Sequence, residues 1–246
     1  MFKNRTIKIR NFIQIGMKLV NNIRSGFENV INLFFSNLCA GCDGSLTYGQ
    51  KHFCISCLIH FPINQSQDPS ELFWGRVPIQ HGVSLLTFEK GNSTQKMLHK
   101  IKYKDQKQLA IHLGNKLGTE IKSKDWSKDI DLILPVPLHS SKERSRGYNQ
   151  ALLIAEGVQE VLTVPIEDGA VVRTVANITQ TKKNKFERWE NVEQVFKLAH
   201  SKNIQNKHVL LIDDAITTGS TLEACIRCML AAENCKISIA TLAIAK

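Results

Sequence analysis

The sequence predicts an α/β fold in which a mainly parallel, twisted sheet with crossover helices follows a small cysteine-rich metal module. Three observations carry that expectation. From residue 79 onward, short apolar strand signals alternate with helical stripes, the pattern of strand–helix–strand units. Residues 209–221 read VLLIDDAITTGST, a buried strand that ends in two acids and runs into a turn of hydroxyl and glycine residues. Closer to the N-terminus, two C-x-x-C pairs stand eleven residues apart.

Length and charge set the bounds. A chain of 246 residues can bury a full α/β core and carry an appended module. No apolar run reaches the roughly 18 residues that a membrane span needs, and Lys and Arg break up the N-terminal apolar residues, unlike a secretory signal. Four of the seven cysteines fall in the two pairs, which points to metal binding in a reducing cytoplasm. The formal net charge of +10 suits anionic partners: nucleotide-like substrates, nucleic acid or an anionic surface.

Residues 1–37 carry six Lys and Arg between Lys3 and Arg24 against the single acid Glu28, with apolar residues at helical spacing from Ile13 to Phe34. They read as a basic N-terminal helical segment, packed on the body with a basic end, the alternative being an amphipathic helix that touches membrane or nucleic acid. In residues 38–61, Cys39, Cys42, Cys54 and Cys57 form two knuckles that can close a tetrahedral thiolate site for structural zinc, with Gly41, Gly44 and Gly49 as turn residues. His52 and His60 are then spare. Residues 62–78 hold three prolines among polar residues and read as a linker, docked through Phe73 and Trp74.

Residues 79–246 form the main domain. Strands are expected at 83–88, 131–137, 170–173, 209–212 and 236–245, and helices over 94–117 (interrupted near Asp105), 149–162 and 222–232. The lysines of the first helical region, including Lys96, Lys100 and Lys102, read as a solvated face. Cys225, Cys228 and Cys235 read as packing residues. Walker A, H-E-x-x-H and G-x-S-x-G patterns are absent, so nucleotide hydrolysis, zinc proteolysis and esterase chemistry have no support.

The chemistry concentrates at the end of the 209–212 strand. In open α/β sheets ligands bind outside the carboxyl ends of strands. N–H groups at a helix start, backed by its dipole, seat phosphate. Asp213 and Asp214 suit two vicinal hydroxyls, as on a ribose. Thr217, Thr218, Ser220 and Thr221 add donors, and Gly219 lets the backbone approach the phosphate. A second segment, LPVPLHSSKERSRGYNQ at 134–150, presents His139, Ser140, Lys142, Arg144 and Arg146 just past a strand end, a donor cluster suited to pyrophosphate.

The run of four apolar residues, two acids and T-T-G-x-T resembles the phosphoribosyl-diphosphate (PRPP) motif of type I phosphoribosyltransferases. P-V-P-L followed by R-G-Y-N-Q resembles the ComF family, associated with bacterial competence. Arg173, Thr179, Gln180, Arg188 and Asn191 match that family's flexible loop over the active site. The resemblance implies a type I phosphoribosyltransferase sheet preceded by a zinc ribbon. It implies PRPP held with Mg²⁺ by Asp213, Asp214, Ala215, Thr217, Thr218, Gly219, Ser220 and Thr221, with Asp213, Asp214 and Arg188 as catalytic residues. The diphosphate falls to the 139–146 loop, and the acceptor is an unidentified nitrogen nucleophile. The base-recognising hood is expected around residues 88–108 and the last strand. DNA or a competence-machinery protein, and a second copy in a homodimer, are the further partners implied. The alternative is a non-catalytic module in DNA uptake that senses PRPP or associates with nucleic acid.

Overall fold

The computed structural model describes residues 38–65, 67–89, 91–103, 106–174 and 195–245. The N-terminal segment at 1–37 and the loop residues Thr179, Gln180, Arg188 and Asn191 lie outside them. The chain divides into two compact units, Met1–Leu58 and Ile59–Lys246, and each is described by itself.

In the first unit the described residues form turns around the four cysteines. Asp43 N donates to the Cys39 carbonyl at 3.0 Å and Cys39 N to that of Gly44 at 2.8 Å, so the first knuckle closes on itself. The left-handed residue in this turn is Asp43, with φ 64°, rather than Gly41 or Gly44. Gly49 does take a positive φ, 86°. A short helix, α1 (Ile55–Ile59), starts within the second pair.

The second unit is built on a four-stranded sheet of β1 (Gly82–Phe88), β2 (Leu132–Pro135), β5 (His208–Ile216) and β6 (Lys236–Ala245). The spatial order is β1-β6-β5-β2 and every pairing is parallel. Burial on both faces explains why β5 and β6 read as near-continuous apolar runs. A separate antiparallel ribbon pairs β3 (Val171–Arg173) with β4 (Phe196–Leu198).

The helices are α2 (Ser93–Tyr103), α3 (Lys107–Lys122), α4 (Ser140–Arg146), α5 (Gln150–Leu162) and α6 (Ser220–Met229). The helical region expected at 94–117 with an interruption near Asp105 is two helices, the first ending at Tyr103 and the second starting at Lys107 and reaching Lys122. The motif strand extends to Ile216, past the 209–212 expected, and α6 opens two residues before Leu222. On one face Val209, Leu211, Ile237 and Ile239 pack with Cys225, Ile226 and Met229 of α6 and with Phe196 of the ribbon. Over the other face α3 and α5 lie nearly backbone to backbone. A Cβ at Gly157 would stand 2.1 Å from the Ile111 carbonyl oxygen, and one at Gly114 2.3 Å from that of Ile154.

The stretch expected to be a linker contributes to this body. Asp68 caps a 3₁₀ turn at Pro69–Phe73 by accepting from Ser70 N at 2.8 Å. Phe73 is fully buried in the core, whereas Trp74 is 73% exposed, so only the first of the two aromatics docks the segment. Cys225 is buried, as packing requires, and Cys228 and Cys235 are half-buried.

Candidate functional site

β5 carries Asp213 and Asp214 in its last turn of pleat. Successive side chains on a strand point to opposite faces, and the two carboxylates have different surroundings accordingly. Asp213 is on the face of Arg173 and Cys225, both of which feel its charge. Asp214 accepts a hydrogen bond from Gln150 Nε2 at 3.4 Å and pairs with Lys102 Nζ at 2.8 Å. Both acids are buried. The Asp213 carboxyl also accepts from Asp214 N at 2.8 Å. Burial, then the charge of Asp214, push Asp213 up to about 7, against the pull of that N–H, Lys102 and Arg173.

Beyond the acids the chain turns through Thr217 and Thr218 and enters α6 at Ser220. Ser220 N donates to Thr218 Oγ1 at 3.4 Å, and the two hydroxyls lie 3.1 Å apart. Asp213, Ala215 and residues 216–222 line an open hollow of about 210 Å³, mouth included. Thr217, Thr218 and Ser220 are exposed on its rim. A helix N-terminus with hydroxyl donors around such a hollow can hold a phosphate-sized anion.

Gly219 adopts φ 76°, and a Cβ there would meet the Phe73 ring at 2.8 Å. The space a side chain at Gly219 would take is therefore filled by the core, which corrects the expectation that this glycine is small in order to admit the phosphate. The turn is held from outside the motif as well. Arg76 donates to the Thr218 carbonyl at 3.3 Å and pairs with Glu223 of α6. Glu223 in turn accepts from Arg227 at 2.8 Å. Burial raises the Glu223 carboxyl, but hydrogen bonds from Arg227 and Arg76 outweigh it and lower the acid on balance.

The basic segment at 139–146 is the helix α4 rather than an open loop. His139 caps it, its Nδ1 accepting from Ser141 N at 3.2 Å. Arg144 and Ser140 are exposed, and Lys142 and Arg146 half-buried. Arg146 stacks on Tyr103 with 5.1 Å to the ring centroid and donates to Gln150 Oε1 at 2.9 Å. Gln150 thus links the basic helix to Asp214. Burial, then the charges of Arg173, Arg146 and Lys102, hold Lys142 below its ordinary value. Of the residues singled out in the sequence, the fold brings together Asp213, Asp214, Lys142 and Arg146. It adds Lys102, Gln150, Arg173 and Arg76, of which Arg173 and Gln150, the last residue of R-G-Y-N-Q, carried a sequence signal.

The four cysteine Sγ atoms lie within 4.8 Å of one another. Zinc–thiolate bonds of about 2.3 Å at tetrahedral angles place sulfurs roughly 3.8 Å apart, and Cys42 and Cys54 Sγ are 3.8 Å apart. Backbone N–H groups of Gly44, Cys54 and Cys57 point at Cys42, Cys39 and Cys54 sulfurs at 3.3–3.4 Å, the donors that thiolate charge needs. Burial raises Cys39, but N–H donors led by that of Cys54 outweigh it and bring the thiol to about 6. Burial and the neighbouring thiols push Cys57 up. The donor set is compatible with a zinc ribbon.

Residues 149–246 match the family model described as the phosphoribosyl transferase domain. Together with the parallel sheet, this defines a type I phosphoribosyltransferase fold. The chain is 30% identical over 226 residues to Competence protein F of Haemophilus influenzae, covering 90% of this chain and 88% of that protein. It is 35% identical over 99 residues to Competence protein ComFC of Bacillus subtilis, covering 40% and 38%. DNA utilization protein YhgH of Escherichia coli K12 is 29% identical over 129 residues, covering 51% and 56%. The chain belongs to the ComF family. Among solved structures, the purine phosphoribosyltransferase of Pyrococcus horikoshii aligns over 56% of this chain and 73% of its own, at 21% identity and a TM-score of 0.35. That overlap is partial, and the fold class rests on the sheet and the family match.

Proposed function

We propose that the second unit binds PRPP with Mg²⁺ and transfers its phosphoribosyl group to a nitrogen nucleophile in the cytoplasm, in a process linked to competence and DNA uptake. The observation that carries this reading is the hollow at the end of β5, with a buried acid at its base and exposed hydroxyls and a helix start at its rim. Residues 217–221 and the first N–H groups of α6 take the 5′-phosphate. Asp213 and Asp214 take the ribose hydroxyls from the two sides of the strand. Lys142, Arg144 and Arg146, with His139 and Ser140, receive the diphosphate, and Arg188 acts late, as the leaving group departs. Their cationic charge stabilises the diphosphate as the C1′–O bond breaks and the ribose becomes oxocarbenium-like. Oxygen donors on a buried, charge-seeking acid suit a hard cation. Mg²⁺ would be held beside Asp213 and Asp214 and would supply neutralisation of the diphosphate. The cysteine cluster holds zinc as a structural ion.

A second reading, favoured by the net charge of +10 and the cysteine module, is a binding module that senses PRPP or associates with DNA without turnover. The names of the relatives, competence and DNA utilization, suit either. The deciding measurement is diphosphate release from PRPP and Mg²⁺ with a panel of bases, alongside calorimetric PRPP affinity. The transferase reading expects turnover with at least one base. It expects Asp214→Asn to weaken both binding and turnover, and Arg188→Ala to lower the rate about 10²–10³-fold with little change in affinity. If no base supports turnover and Arg188→Ala alters only salt-dependent DNA retention, the transferase reading falls and the binding module stands.

A further inference from the structure

The least expected contact at the site is Lys102. It sits on α2, outside every motif, yet its ammonium lies 2.8 Å from Asp214 Oδ2, with the lysine side chain 29% exposed and the acid 8%. Gln150 completes the grip on that carboxylate at 3.4 Å. A ribose hydroxyl approaching Asp214 therefore competes with a resident cation. Around it stand Arg146, stacked on the adjoining Tyr103 at 5.1 Å, and Lys142, which feels the charges of Lys102, Arg146 and Arg173. Lys102 and Arg173 act on the two carboxylates, and Lys142 feels both of these cations and Arg146. The cations here thus outnumber the acids, an arrangement matched to a multiply charged anion. Lysine suits such a shuttle: it is a point charge on a four-carbon stem with three rotatable donors.

Resting on the PRPP reading, we propose that Lys102 is a diphosphate-binding residue parked on Asp214, released when the ribose hydroxyls take that carboxylate and turned onto the diphosphate beside Arg146. The contact then does two things. Free enzyme keeps Asp214 neutralised and closed to ribose phosphates that lack diphosphate. With PRPP, the displaced ammonium gains a stronger anionic partner, so the lost ion pair is offset only by the complete substrate. Lys102 is in this way a residue that favours PRPP over ribose 5-phosphate.

The test is calorimetric binding of PRPP and of ribose 5-phosphate, at saturating Mg²⁺ and pH 8.5, to wild type, Lys102→Met and Lys102→Arg. Both ligands must open Asp214, so their affinity ratio isolates the diphosphate contact. Lys102→Met is expected to lower the PRPP preference about 10–100-fold, the range for a charged hydrogen bond, and to tighten ribose 5-phosphate several-fold. Lys102→Arg is expected to restore most of the preference. An unchanged ratio in Lys102→Met overturns the diphosphate role, and ribose 5-phosphate affinity that fails to rise overturns the parked state. Failure of wild type to bind PRPP at all overturns the phosphoribosyl reading itself, and this proposal with it.

Discussion

Asp213→Asn is expected to stabilise the second unit above neutral pH while removing the proposed ribose contact. The folded acid is raised from 3.8 to about 7 by burial and by Asp214. Between those two values the folded protein retains a proton that the unfolded chain has released, so stability falls as pH rises through the window and is lowest above about 7. Each pH unit is worth about 1.4 kcal/mol, so the ionised acid costs the fold on the order of 4 kcal/mol. Asparagine keeps the shape of the protonated acid, and its Oδ1 can still accept from Asp214 N. The attraction of Arg173 and Lys102 for the charge is already contained in the value of about 7. The amide NH₂ that replaces an acid oxygen needs its own acceptor, so a gain of about 2–4 kcal/mol is expected. That corresponds to roughly 5–10 °C in Tm for a unit of this size. Denaturant unfolding of both proteins from pH 4 to 9 reads the effect. The difference should be close to zero at pH 4, grow through the window and level off near pH 8. A gap that does not vary with pH, or a variant less stable than wild type at pH 8.5, would refute the electrostatic account. Such a trade of stability for a charged site is common where function needs a strained group.

Two further outcomes are expected. Freshly purified protein should carry close to one zinc per chain by metal analysis, and Cys54→Ser with Cys57→Ser should lose it; binding worth about 10–16 kcal/mol would make that module fold only with metal, so unchanged zinc content in the double variant would remove the assignment. Gly219→Ala should destabilise the second unit by about 1–3 kcal/mol, because φ 76° and the Phe73 ring at 2.8 Å both oppose a Cβ; Phe73→Leu in the same chain should recover the steric part, and a denaturant midpoint equal to wild type would show that the turn does not depend on glycine.

The features legible in the sequence are those written in contiguous residues. The four apolar residues before Asp213, the hydroxyl–glycine turn, the alternation of strands and helices and the two C-x-x-C pairs each declare themselves locally, because period, turn chemistry and ligand spacing are properties of neighbours along the chain. What the tertiary structure decided is which distant side chains meet at that turn. Lys96, Lys100 and Lys102 look alike in a helical pattern, yet Lys102 is the one that meets Asp214. Gln150 closes the R-G-Y-N-Q run, but its place between Arg146 and Asp214 shows only in the fold. Phe73 and Arg76 sit in a proline-rich stretch, and only the packing shows that one fixes Gly219 and the other holds Thr218. The basic run at 139–146 reads as a loop past a strand end, yet Ser140–Arg146 folds as a helix capped by His139. Periodicity states which face of an element is buried, but not against what. The partner of a buried charge is selected by the folded geometry, since an acid taken out of water must find a cation or a donor wherever the chain places one.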